Sequence, residues 1–98
     1  MNEVFETEPF TKIRTKLSLS ENEWIENVKD QIKENLFVGR HLVFYWLREK
    51  KNKGLRIYFV INENSKKAII VAISNKKDQQ GIINHILRNK MDYFKEIT

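Results

Sequence analysis

Between Leu55 and Asn62 the chain reads LRIYFVIN, and every odd position, Leu55, Ile57, Phe59 and Ile61, is apolar. A period of two is that of a β-strand with one face turned to a core. The even positions are Arg56, Tyr58, Val60 and Asn62, so the second face carries a cation and a phenol side by side. Upstream, HLVFYWLREK is too rich in aromatic and β-branched residues for a helix and predicts a strand over 42–50. The segment KKNKG between them supplies a polar, glycine-containing hairpin turn. After a second turn at ENSK, KAIIVAIS is apolar on both faces, as a central strand should be, and predicts a strand over 67–73.

The flanks are read in the same way. KIRTKLSL, residues 12–19, places Ile13, Leu17 and Leu19 on one side and predicts a half-buried first strand. Ser20 with Glu23 forms a capping box at the head of a helix. That helix carries Trp24, Ile25, Val28, Ile32 and Leu36 on one side and ends before Gly39. Gln79 to Phe94 returns to helical spacing through Ile83, Ile86, Leu87, Met91 and Phe94. The predicted order is β-α-β-β-β-α, a single α+β domain over 1–98 with a small twisted, mainly antiparallel sheet packed by helices.

Charge adds a direction to this picture. The net charge is +5, but residues 1–37 hold five Lys/Arg against eight Asp/Glu, and the remainder holds thirteen against five. A basic half of this kind suits an anionic partner, nucleic acid foremost. The absence of cysteine excludes disulfides, thiol catalysis and cysteine-ligated zinc, and it fits the cytoplasm. The first residues, MNEVFETEPF, have no basic and apolar leader pattern, and no run reaches the length of a membrane span. His41 and His85 have no neighbours at metal-ligand spacing, and the three glycines do not form a phosphate loop. No metal or cofactor is expected.

The meander resembles a known family. LRE on its first strand, GLRIYF on its second and AIIVAISNKK at the end of its third are similar to the RelE/ParE/HigB toxin superfamily over about Leu42 to Leu87. The resemblance implies a toxin of a type II toxin–antitoxin pair, with a cognate antitoxin as partner. Many such toxins are metal-independent endoribonucleases that cut mRNA on the ribosome, whereas the ParE branch acts on a protein target. In the ribonucleases a 2′-hydroxyl attacks the adjacent phosphate, and basic side chains move its proton and steady the phosphorane.

Carried over by position, the resemblance gives Arg56 a phosphate-facing role and Lys77 a catalytic one. It places Arg48 and Lys50 as further catalytic cations on the first meander strand. Lys51, Lys53, Lys76 and Tyr58 would then line the RNA. The pattern departs in one place: where several ribonuclease members have a tyrosine or histidine, this chain has Gly81, Ile82 and Ile83. The alternative is therefore a non-catalytic ParE-like or degenerate member that binds a protein or nucleic acid. A plainer reading exists for each residue. Arg56 and Tyr58 would suit the solvent face of any antiparallel sheet, and Lys50, Lys51 and Lys53 a solvated hairpin tip. Lys76 and Lys77 sit less easily, since cations oppose the positive end of a helix dipole.

Overall fold

The three apolar strands pair in the order their turns dictate, and a strand near the N-terminus and a short one just before the meander complete the sheet. In the computed structural model, which describes residues 1–98, β1 spans Glu3–Glu6, α1 Glu8–Arg14 and α2 Leu19–Glu34. Strands β2 (Arg40–Leu42), β3 (Phe44–Asn52), β4 (Leu55–Asn62) and β5 (Lys67–Asn75) follow. A 3₁₀ turn over Lys76–Asp78 leads into α3 (Gln79–Arg88) and α4 (Lys90–Glu96). The sheet order is β1-β5-β4-β3-β2; β1 runs parallel to β5 and every other pair is antiparallel. No helix is long and apolar enough to cross a membrane.

The α+β class and the antiparallel meander agree with the sequence pattern, with no helix between 55 and 73. The flanks differ from it. Residues 12–19 are the end of α1, a turn and the start of α2, with Ile13 and Leu19 exposed. The first strand lies earlier, at EVFE. Thr7 caps α1, accepting from the Phe10 amide, and Pro9 stands in its first turn. SLSENE holds two overlapping capping boxes, and the fold uses Ser18 with Glu21 rather than Ser20 with Glu23. The single C-terminal helix divides at Asn89, whose φ of −110° and ψ of 11° leave the α region.

Helices cover both faces of the sheet. Phe10 and the α2 residues Ile25, Val28 and Ile32 pack on Ile57, Phe59, Ile61 and Ile70. On the reverse, Ile83, Ile86 and Ile97 pack on Leu47, Tyr58, Val60, Ile69 and Val71. This corrects the expectation of an open polar face on β4, because Tyr58 and Val60 are fully buried and only its two ends, Arg56 and Asn62, approach solvent. The register shifts between Tyr58 and Phe59, so that Tyr58 faces Ala72 while Phe59 faces Ile70, leaving Val71 as a bulge.

The acidic first third also has a structural use. Glu6 accepts from Lys29 at 2.8 Å and from Thr11 at 3.0 Å, and it is paired with Arg14, tying β1 to both N-terminal helices. Burial pushes its carboxyl up, but the hydrogen bond and charge of Lys29, with bonds from Thr11 and Arg14, outweigh that and hold it below its ordinary value. A depressed carboxylate adds stability above its unfolded pKa, and this is lost as pH falls through the lower folded value. Glu6→Gln should therefore lower the urea midpoint at pH 7, and the difference from the parent chain should shrink as titrations move toward pH 3. A constant difference across that range would contradict the linkage.

Candidate nucleic-acid interface

The register of the β3–β4 hairpin decides which cations share a surface. Asn52 pairs with Leu55, so Lys51 faces Arg56, Lys50 faces Ile57, Glu49 faces Tyr58 and Arg48 faces Phe59. Glu49 and Lys51 therefore lie on the α3 side with Arg56, whereas Arg48 and Lys50 lie on the α2 side with Ile57 and Phe59. The expected quartet of Arg48, Lys50, Arg56 and Lys77 is split by the sheet itself.

On the α3 side, the centre is Glu49, a residue the sequence reading passed over. It is only 1% exposed. Its carboxylate accepts from Arg56 Nη1 at 3.2 Å on both oxygens and from Gln79 Nε2 at 2.7 Å, and it forms an ion pair with Arg40 Nη2 at 2.9 Å. Four elements meet there: β2, β3, β4 and the first turn of α3. Arg56 is consequently not a free surface cation; its side chain is 12% exposed and is held in one direction. Its Nε and Nη2 have no partner in the chain and are reachable by solvent, since no buried side-chain nitrogen or oxygen lacks a hydrogen bond. An arginine fixed at one nitrogen, with the other two open to solvent, can offer two donors to an anion.

Around Arg56 the remaining cations gather at one end of the sheet. Asn52, Leu55 and Asn75 are neighbours across three strands, which brings the β3–β4 turn beside the 76–78 turn. Lys51, Lys53, Lys76 and Lys77 are all exposed there. Lys53 holds a left-handed φ of 56° in the turn. Asn75 organises the other turn: its side-chain oxygen accepts from the amides of Lys77 at 3.0 Å and Asp78 at 3.3 Å. Lys76 and Lys77 are thereby lifted off the helix proper, which relieves the misfit that two cations at a helix start would create.

Tyr58 is beneath this surface, not on it. Its hydroxyl shares a 2.9 Å hydrogen bond with Ser74 Oγ, and burial raises the phenol's pKa despite that bond. It cannot line RNA as the sequence reading expected, and a phenol with a raised pKa is a poor base near neutrality. His85 is exposed on α3, and no group of three or more histidine or acidic side chains is spaced to hold a metal.

Arg48 has a different task. It is 8% exposed, and burial lowers the guanidinium's pKa from its ordinary value. Its nitrogens donate to the carbonyls of Phe37 (2.6 Å), Val38 (3.0 Å), Gly39 (3.1 Å) and Tyr45 (3.2 Å), and its carbon lies 5.6 Å over the Phe37 ring. It pins the chain leaving α2 against β3 and has no fork left for a phosphate. Lys50 is half-buried beside it, against Gly39. Gly39 has a φ of 77°, and a Cβ there would stand 2.2 Å from the Glu49 carbonyl oxygen. Gly39→Ala should therefore cost about 2–4 kcal/mol, the sum of a left-handed penalty and a backbone clash. A melting curve unchanged from the parent's would show that β2 and β3 are not held this closely.

The sequence matches no known family description and no curated protein. The fold is similar to a solved one. A structure of the E. coli toxin RelE, a double arginine-to-alanine mutant in complex with an antitoxin RelBc peptide, superposes with a TM-score of 0.68 at 10% sequence identity, covering 83% of this chain and 93% of that one. The architecture is thus a RelE-like fold, with its helical hairpin between the first strand and the meander. At that identity the likeness is one of fold.

Proposed function

We propose that this protein is the toxin of a toxin–antitoxin pair, and that it acts on RNA through the basic end of its sheet. The observation that carries the reading is Arg56, held on a buried glutamate at the lysine-rich end of a RelE-like fold with two nitrogens free. Phosphodiester cleavage by transfer joins the 2′-oxygen to phosphorus and breaks the bond from phosphorus to the 5′-oxygen. One proton passes from the 2′-hydroxyl to a solvent water and one reaches the departing oxygen. Arg56 would grip the phosphate and stabilise the phosphorane, and Lys51 and Lys77 would flank it, with Lys53 and Lys76 holding the strand. Lys77 is the proposed proton donor to the leaving oxygen. Arg48 and Lys50 belong to the scaffold in this reading. The proposed setting is the cytoplasm, with translating ribosomes bringing the mRNA and an antitoxin covering the protein until it is released.

A second reading is favoured by one observation. Neither a histidine nor an accessible tyrosine stands beside Lys77, and the only nearby phenol, Tyr58, is buried against Ser74. On this reading the protein binds nucleic acid or a protein target without cutting. Induced expression of the chain alone should arrest growth within a few generations, and mapping mRNA 5′ ends should find discrete cuts within ribosome-bound messages. Arrest without such cuts would move the assignment to the binding reading. Normal growth and intact messages at high expression would remove the toxin assignment.

A further inference from the structure

The α3 side of the sheet continues past Arg56 to the β2 edge, and the residues along that edge are of one kind. Arg40 lies across from Glu49, and its Nη2 approaches the same carboxylate oxygen, Oε1, that Arg56 Nη1 meets. Its side chain is 61% exposed, and its other nitrogens have no partner in the chain. Two residues on, about 7 Å along the strand, Leu42 turns to the same side and packs with the α3 residues; its register partner is Phe44. Val43 makes the tight turn between them at a left-handed φ of 52°, a costly conformation for a β-branched residue. Facing residues on paired strands share a side, so this turn sets the Phe44 ring on the same surface as Arg40.

Phe44 ends a ladder of rings. It lies parallel to Trp46, with centroids 5.3 Å apart and planes 8° from each other, and Trp46 meets Phe94 of α4 edge-on at 5.1 Å. Trp46 thus has two aromatic neighbours, whereas Phe44 has one and is 42% exposed. The surroundings are positive. No acidic residue occurs between Glu34 and Glu49; Arg40 stands at one end of the strip, and Lys90 is exposed one turn before Phe94 at the other. A lysine-rich segment would be repelled here. A second copy meeting the strip about a two-fold axis would bring the same cations into the contact again. A nucleic-acid strand supplies planar rings and negative charge together, and the strip begins where the Arg56 site ends.

We propose that single-stranded RNA held at Arg56 continues over Arg40, and that one of its bases stacks on the outer face of the Phe44 ring. This deepens the RNA reading given above and rests on it. Arg40 takes a phosphate between the two points. Phe44 moves no proton and carries no charge, so its part is to fix the position of the strand. Every base has a π-face, and the platform therefore discriminates little among them.

The test uses the full chain and a hexanucleotide of 2′-O-methyl RNA, in which no 2′-hydroxyl is free to attack. The fluorescent base 2-aminopurine is placed at each position in turn, and binding should quench one position far more than the rest. Phe44→Leu keeps an apolar side chain against Trp46 but removes the π-face. It should abolish that quenching and weaken binding about ten- to hundredfold, the scale of one lost stack. Phe44→Tyr should restore both. Tyr45→Ala removes the neighbouring exposed ring, which alternation turns to the other face, and should bind as the parent does. A hexanucleotide lacking the base at the quenched position should bind the parent chain less tightly, a measurement that needs no variant to fold. Equal binding with and without that base would overturn the proposal, as would equal losses from Phe44→Leu and Tyr45→Ala. Binding that falls with Arg56→Ala but not with Phe44→Leu would remove the platform and leave the RNA reading standing, whereas no binding by the parent chain would end both. Self-association abolished by Phe44→Leu, with RNA binding intact, would assign the strip to a second copy of the chain.

Discussion

Arg56→Ala is expected to lower RNA cleavage by about 10²–10³, the scale for removing one donor that meets developing charge on a phosphorane. The buried setting of this residue makes the substitution more than a loss of contact. Glu49 would keep Arg40 and Gln79 but lose the more buried of its two cationic partners, so stability should fall by about 1–3 kcal/mol, as for a charge-assisted bond removed from a partly buried site. A solvent-facing arginine would have cost less than about 0.5 kcal/mol. Arg56→Lys separates the two effects, because a lysine can answer Glu49 but cannot present a fork. It should recover much of the stability and little of the activity. Cleavage assays beside melting curves for the two variants check this. An alanine variant that melts slightly lower yet cleaves at full rate would remove Arg56 from the reaction.

The second large effect is expected at Arg48 and is one of folding. Arg48→Ala leaves four carbonyls without their donor and opens the contact with Phe37. Breaking a buried charged network of this size costs about 3–5 kcal/mol. For a domain of this size that is on the order of 20 °C in Tm. Lysine should rescue little, since one ammonium cannot span carbonyls contributed by two separate segments. Loss of RNA cleavage with an unaltered melting curve would instead place Arg48 in the reaction.

The contrast between these two arginines shows what could be read from the sequence. Their strands were legible because alternation in LRIYFVIN and the run KAIIVAIS leave few other options. The parity between strands was not, because a turn placed loosely at KKNKG does not fix whether Arg56 stands across from Lys50 or Lys51. Only the two-residue turn at Lys53 and Gly54 does that. Glu49 was invisible for a related reason: one acid in LREKK looks like charge balance, and its burial depends on Arg40, Arg56 and Gln79 arriving from elsewhere. At the N-terminus the error was of period. KIRTKLSL has apolar residues that fit a strand on paper, yet they remain largely outside the core, while the stronger local signals were Thr7 with Pro9 and Ser18 with Glu21.

The parallel pairing of β1 with β5 has a consequence for the order in which the chain assembles. The β3–β4 and β4–β5 pairs close through short turns and can form as soon as each strand is available. Strand β1, though first in the chain, finds its strand partner only at Lys67–Ile70, more than sixty residues downstream, and that pairing is rewarded only after the long loop is closed. On a ribosome making this protein, residues 3–6 therefore wait for residues 67–70 to emerge before they pair, while the hairpin bearing Glu49 and Arg56 is already formed. The sheet is finished from its middle outward, and its oldest residues are among the last to find their place.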